Sequence, residues 1–465
     1  MAEVPLGVSA YNRFDGRLPN IIVRNFYSEA NPTDQIGKIV HIQRPGLKSF
    51  AKPGAKGPIR GVFKQDGVFG SNDFITVAGT QAHRVTEGGK GTLLGNVGGT
   101  ENVSIAASTT RAIIVSNGTA YSTGGSVIKT VNMPNNVPVG SVAYMNGYFL
   151  LTQLGSHRIW WIDPGADNPD GLNFFSAENN SDDCVKIEHI SDMLFVFKQT
   201  SVEVFTPTGD ANNPFQRQEG MLYDKGCANR ATVTKTDNTI FWVGRDKIVY
   251  RAAIAPQRIS DFAIEEKLMK TDFTLLRAWS FPFNGHVFYA LTIGDLGTFV
   301  YDVAAGGWVE WATYGRPQWQ AHLGAWTDGS LVVAGDAWTN DLWQLDSTLS
   351  VDNKTLPIER ELVGGLPITG KPEPCHSFSL YCATGWANQK APNPVVQMRM
   401  SDDGGNLWSA WRNSAHMGRR GQFGVEVAWR QLGMMKQPGR MFHIRCGDPT
   451  LFRVSYARIN EAYAT

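Results

Sequence analysis

Short apolar runs, each bounded by turn residues, recur along the chain as Phe74-Ile-Thr-Val-Ala, Ala112-Ile-Ile-Val-Ser, Gly147-Tyr-Phe-Leu-Leu-Thr, Met193-Leu-Phe-Val-Phe, Thr239-Ile-Phe-Trp-Val, His286-Val-Phe-Tyr-Ala-Leu-Thr and Ser330-Leu-Val-Val-Ala. A turn and a second β-rich run follow each, such as Arg158-Ile-Trp-Trp-Ile-Asp, Ser201-Val-Glu-Val-Phe, Lys247-Ile-Val-Tyr-Arg and Asp341-Leu-Trp-Gln-Leu-Asp. The repeat is roughly 40 to 50 residues, the length of one four-stranded propeller blade. A hairpin apolar on both faces cannot bury both alone, so such units stack and cover one another. The pattern predicts an all-β protein with a propeller-like body of six or seven blades over 61–351, and Trp160, Trp161, Trp242, Trp308, Trp311 and Trp343 as plates between sheets. A large sandwich of meandering hairpins fits the same spacing. One helix interrupts the rhythm, with Ser260 as N-cap, Asp261 at its positive end and Phe262, Ile264, Leu268 and Met269 on one face through Lys270.

Past residue 352 the rhythm changes. Pro357, Gly364, Gly365, Pro367, Gly370, Pro372 and Pro374 predict a linker over 352–376. Alternating runs such as Val395-Val-Gln-Met-Arg-Met and Phe442-His-Ile-Arg-Cys then predict a C-terminal β-sandwich over 377–465. Residues 1–60, rich in Asn, Pro, Gly and Arg, are expected to form an extended N-terminal arm with little core of its own.

Composition narrows the function classes. The 43 Lys and Arg against 42 Asp and Glu leave a net charge of +1 in 465 residues, so no global field draws the chain onto nucleic acid or anionic lipid. No apolar stretch approaches the ~18 residues of a membrane span, and Met1 to Pro5 carry an acid and no basic segment, so neither membrane insertion nor a secretory signal is expected. Five scattered cysteines predict reduced, buried thiols.

Catalytic signatures are missing: there is no Gly-x-Ser-x-Gly elbow, no His-Glu-x-x-His helix, and Gly88-Gly-Lys-Gly-Thr lacks the features of a phosphate loop. No catalytic, cofactor or metal residue is assigned, and the chain is expected not to be an enzyme. One motif is sharper. Ser401, Asp403, Gly405 and Trp408 fit the Ser-x-Asp-x-Gly-x-x-Trp Asp-box, a hairpin whose acid bonds turn amides and whose tryptophan packs beneath. Its role is structural, but sialidases carry it too, so a glycan-binding or glycan-cleaving propeller is the alternative reading. A scaffold propeller that binds peptides is a further rival.

Several segments together resemble one family. Arg24-Asn-Phe-Tyr-Ser-Glu followed by Arg44-Pro-Gly-Leu, then Pro256-Gln-Arg-Ile-Ser, His286-Val-Phe-Tyr-Ala-Leu-Thr, Thr298-Phe-Val-Tyr-Asp-Val and Gly307-Trp-Val-Glu-Trp, and finally Ser401 to Trp408, Gly418-Arg-Arg-Gly and Trp429-Arg-Gln-Leu-Gly, are similar to the tail-hub or packaged-DNA stabilisation proteins of short-tailed bacteriophages. The resemblance implies a structural virion protein of the tail, made in the bacterial host cytoplasm. Such a protein is a head-to-tail connector hub or nozzle that extends the DNA channel, retains packaged DNA until ejection, and joins tail fibres or spikes. It also implies a homohexamer, with a portal-adaptor ring, a tail fibre or tailspike, a needle or plug protein, and double-stranded DNA passing non-specifically through the lumen as partners, and no cofactor. Arg24, Phe26 and Tyr27 are the candidate assembly anchors, because aromatic residues and arginine dominate interface hot spots. On this reading, deleting residues 2–50 abolishes incorporation and leaves the fold intact.

Overall fold

Neighbouring side chains on a strand point to opposite faces, and in the computed structural model Trp160 and Trp161 use this to join three blades. The structure describes residues 2–12, 20–31, 38–54, 56–327 and 331–461; Ser330, which opens the seventh apolar run, lies outside them. Trp160 packs with Ile113, Val115, Val142 and Phe149, between the second and third repeats. Trp161 packs with Leu150, Ile187, Leu194 and Phe205, between the third and fourth. Trp242 fills the next seam with Phe197, Val204 and Ile240. Each seam is thus an apolar layer that neither sheet could bury alone.

Two compact units emerge, one of Ser49–Gly294 with Gln320–Gln344, the other of Met1–Lys48, Asp295–Trp319 and Leu345–Thr465. The first, the blade unit, begins with five antiparallel four-stranded sheets. Blade I is Ile59–Lys64, Phe74–Ala78, Gln81–Val85 and Gly91–Asn96; blade II spans 104–130, blade III 139–176, blade IV 184–223 and blade V 234–258. Blade VI contributes the hairpin Leu276–Phe283 with His286–Ile293, and blade VII the strands Ala321–Trp326, Val332–Asp336 and Leu342–Asp346. The innermost strands touch in cyclic order from I to VII and back to I. Ile59, Phe74 and Val85 of blade I close the ring against Leu323, Val333 and Leu342 of blade VII. The count within the predicted range is therefore seven.

The helix Phe262–Met269 follows blade V. Its cap is Asp261, whose carboxylate accepts from Ile264 N at 2.9 Å, whereas the Ser260 hydroxyl is spent on Val249 N and Glu265. Ile264 and Leu268 are buried, while Phe262 and Met269 are exposed and do not share the buried face.

The second, the sandwich unit, has two large sheets. One carries Ala2–Val4, Phe26–Ala30, Ile39–Gln43, Arg453–Ile459, Ser377–Cys382 and Val427–Arg430. The other orders Gly297–Asp302, Gly307–Trp311, Val23–Arg24, Arg360–Pro367, Gly439–Cys446 and Val395–Ser401. Phe378 of the first stacks on Phe442 of the second at 4.3 Å. Three sequence expectations change here. The strands Ala2–Val4, Val23–Arg24, Phe26–Ala30 and Ile39–Gln43 join the sheets of this unit where a coreless arm was expected, residues 360–367 form an interior strand where a linker was expected, and Trp308 and Trp311 pack in this unit and not between blades.

Two buried histidines make the fold acid-sensitive. Burial pushes His41, whose Nδ1 faces Ser28 Oγ at 3.1 Å, from 6.5 down to about 4. Burial, aided by Arg277, does the same to His322, which also reaches about 4. Each takes up a proton more readily when unfolded, so the stability fully present above pH 6.5 falls as pH drops towards 4. The slope is about 1.4 kcal/mol per pH unit for each histidine. Thermal unfolding at pH 7 and pH 5 is expected to show a clear drop in Tm at the lower pH; equal values would contradict this assignment.

Candidate assembly surface

Of the three anchors expected from sequence, the structure leaves one at the surface. Phe26 is fully buried against Phe452 at 5.8 Å and His41 at 6.3 Å, and Tyr27 is buried beside it. Both are core residues because the strand Phe26–Ala30 pairs with Ile39–Gln43 inside the sandwich unit, which corrects their reading as docking anchors. Arg24 is half-exposed, and its Nη2 reaches Glu310 Oε2 at 3.0 Å while Nη1 reaches Glu361 Oε1 at 3.2 Å. Desolvation works to lower its pKa, but the two carboxylates outweigh that and raise it.

From Arg24 the network runs on to the Asp-box. Glu361 Oε2 accepts from His443 Nε2 at 2.8 Å, and His443 Nδ1 accepts from Arg399 Nε at 3.1 Å, the tautomer assigned from these two bonds. Burial would raise the Glu361 carboxyl, yet His443 and Arg24 hold it below its usual value. Trp408 meets His443 edge-on at 5.3 Å and Trp411 packs tilted against the same imidazole at 5.1 Å, with the Arg399 guanidinium 5.0 and 4.7 Å from the two indoles. The Arg24 motif and the Asp-box thus meet through Glu361 and His443, a link that no local spacing reveals.

The Asp-box folds as its sequence implies. Ser401 Oγ donates to Asp403 Oδ1 at 2.6 Å and accepts from Gly405 N at 3.0 Å, while Asp403 accepts from Asn406 N and Leu407 N at 3.0 and 2.9 Å. These bonds, led by the one from Ser401, lower the Asp403 pKa. Gly405 sits at φ +95°, in the left-handed half of the map open to glycine. Next to it, Asp402 takes a bidentate bond from the buried Arg440 at 2.6 and 2.8 Å.

Arg44-Pro-Gly-Leu builds the other fixed point. Arg44 and Asp352 have no exposed side-chain surface and pair through two bonds of 2.6 and 3.0 Å. Arg44 also donates to Asn25 Oδ1, Pro45 O and Ala312 O at 2.8 to 2.9 Å. Asn25, at φ +59°, uses its amide nitrogen on Glu359 O at 2.6 Å. A Cβ on Gly46 would lie 2.6 Å from Val351 O, so the turn after Arg44 admits only glycine.

In the blade unit, Val62, Ser104, Ser141, Lys186, Thr234, Ala278 and Gly324, one from each innermost strand, line an axial channel. Two acids pair with basic residues beside it. Glu188 lies 3.0 Å from Lys235, and Glu101 pairs with Arg230. Burial would raise Glu188, but Lys235 and Lys186 outweigh it and hold it at about 2. Among the described residues no group of three or more His, Cys, Asp or Glu is arranged to hold a metal ion. What sequence reasoning missed is an exposed aromatic pair in the sandwich unit, Trp386 and Phe423, 52% and 69% exposed with ring centroids 6.2 Å apart. Its nearest signal was Gly418-Arg-Arg-Gly, in the loop that carries Phe423.

A search of curated protein sequences finds no match. Among solved structures the chain is similar to a streptogramin B lyase at 11% identity and TM-score 0.45, covering 65% of this chain and 98% of that one. It is also similar to BamB from Moraxella catarrhalis at 13% identity and TM-score 0.41, covering 73% and 98%. The phage stabilisation family described as bacteriophage P22 Gp10, β-propeller, matches residues 5–350. That span holds all seven blades and the Arg24 and Arg44 segments, and the chain belongs to this family of phage DNA-stabilisation propellers, as a structural component of the virion.

Proposed function

We propose that the chain is a subunit of the tail hub, or nozzle, of a short-tailed phage, seated below the portal adaptor. There it prolongs the DNA channel, retains packaged DNA before ejection and joins tail fibres or spikes. The observation that carries this reading is the family match over residues 5–350. The physical chemistry supports it. A wall protein under load needs elements that cannot shear, and seven sheets closed by continuous apolar seams supply them. A strongly basic protein would grip DNA by counterion release and slow its passage, and with 43 basic against 42 acidic residues the chain as a whole carries no such excess.

In this reading six copies form a ring around the passing duplex, contacting the adaptor on one side and a fibre, spike or needle protein on the other. Co-sedimentation of the purified chain with portal-adaptor rings from the same source, followed by negative-stain imaging, tests it. A stoichiometric ring added at the end away from the head is expected. Absence of binding would reject the hub, and turnover or binding of a cell-surface glycan would then favour the glycan-directed propeller.

A further inference from the structure

Blade IV holds a buried lysine between two carboxylates. Lys198 ends the strand Met193–Lys198, Glu203 lies on Val202–Pro207, and Asp182 precedes Cys184–Ile190. The side chains of Lys198 and Glu203 have no exposed surface, and Asp182 is 11% exposed. Lys198 Nζ lies 2.9 Å from Asp182 Oδ1 and 3.1 Å from Glu203 Oε1. The carbonyls of Ala177 and Asn180, at 2.8 and 2.5 Å, fix the nitrogen in place.

The surroundings of Asp182 are unequal on its two oxygens. Oδ2 accepts from Thr200 N at 2.6 Å, Thr200 Oγ1 at 2.8 Å and Ser201 N at 3.2 Å. Oδ1 faces Lys198, with Ser201 Oγ at 3.2 Å. Glu203 accepts from Asn179 N through Oε1, but its Oε2 is buried without a hydrogen-bond partner among the described residues. A structural ion pair needs only one carboxylate for one ammonium. The second carboxyl, fully buried with one oxygen idle, is costly for stability alone and is placed to carry a proton.

We propose that Lys198 and Asp182 condense to an intramolecular isopeptide bond, with Glu203 as the proton carrier. Nζ gives a proton to Glu203 and bonds to Cγ, and the Cγ–Oδ1 bond breaks when the resulting tetrahedral intermediate collapses. Charge that develops on Oδ2 in the tetrahedral intermediate falls on the Thr200 amide and hydroxyl and the Ser201 amide, which already point at it. Of the three ammonium protons one stays on the amide nitrogen. A second passes directly to Oδ1, the third reaches it through Glu203, and Oδ1 departs as water. Ammonium plus carboxylate equals amide plus water, so no oxidant, reductant or external reagent enters. The reacting groups are held in contact by the blade, and the product removes two charges from a site shielded from water. The starting state is the ion pair itself: burial works to raise Asp182, and hydrogen bonds from Lys198 and Thr200 outweigh it, to about 2. The bond would tie the segment entering blade IV to its second strand.

The test is the intact mass of the purified full-length chain, followed by tryptic mapping. The expected result is a mass one water below that of the sequence, a branched peptide joining the segments of Lys198 and Asp182, and return to full mass in Glu203→Gln and in Lys198→Met. A folded wild-type chain of full mass would overturn the proposal, whatever the variants do. So would a missing water located elsewhere, including a succinimide at Asp182 that hydroxylamine reopens and that leaves Lys198 cleavable by trypsin.

Discussion

Replacing Asp352 by alanine is expected to destabilise the sandwich unit by about 3–5 kcal/mol, the cost of leaving one partner of a buried ion pair unmatched. Arg44 has no water to turn to, since neither side chain of the pair has exposed surface. The loss should appear as a lower midpoint in urea with an unchanged slope, followed by tryptophan fluorescence. A second arm separates charge from hydrogen bonding. Exchanging both partners, Arg44→Met with Asp352→Leu, removes the unpaired charge but strips donors from Asn25 Oδ1, Pro45 O and Ala312 O. Recovery is therefore expected to be partial, where a pure charge effect would give full recovery. A loss below about 1 kcal/mol in the single variant, the value of a surface pair, would contradict the role assigned to Arg44.

Deletion of residues 2–50 is expected to unfold the sandwich unit while the blades persist. It removes Val23, Phe26, Tyr27 and Leu47, all buried, and the Arg44 clasp. At about 2 kcal/mol for each large apolar side chain withdrawn from water, these four alone approach the ~5–15 kcal/mol net stability of a whole domain. Limited proteolysis read by mass spectrometry should find 377–461 cut rapidly and 59–293 protected. Equal protection of both segments would restore the reading of residues 2–50 as an appended arm.

The two deletions of meaning, arm and linker, have the same origin. Local periodicity reports which face of a strand is apolar, and it did so for the hairpins of blades I to V and for the opposed Trp160 and Trp161. It carries no information on which distant strand lies alongside. Arg24 pairs with Glu361 and Glu310 across most of the chain, and nothing near Arg24 announces it. An arginine followed by two aromatics reads the same whether it awaits a neighbour or sits in a core. The glycines of 364–365 read as a linker, yet they mark close approach within a strand. A Cβ at Gly364 would collide with Pro5 O, and one at Gly365 with the Met441 sulfur. The Asp-box was legible in full because its bonds close within eight residues, Ser401 to Trp408. The Lys198 cluster was not, since its lysine and two acidic side chains lie on separate strands and loops of one blade and only the fold removes them from water.

The measurement that bears most directly on the central claim is electron cryo-microscopy of the intact particle at a resolution that separates β-sheets. The account predicts six seven-bladed rings with their attached sandwich units arranged around the tail axis beneath the portal adaptor, enclosing the DNA path. Seven-bladed density at the tip of a fibre, or elsewhere on the capsid with none at the portal vertex, would contradict it.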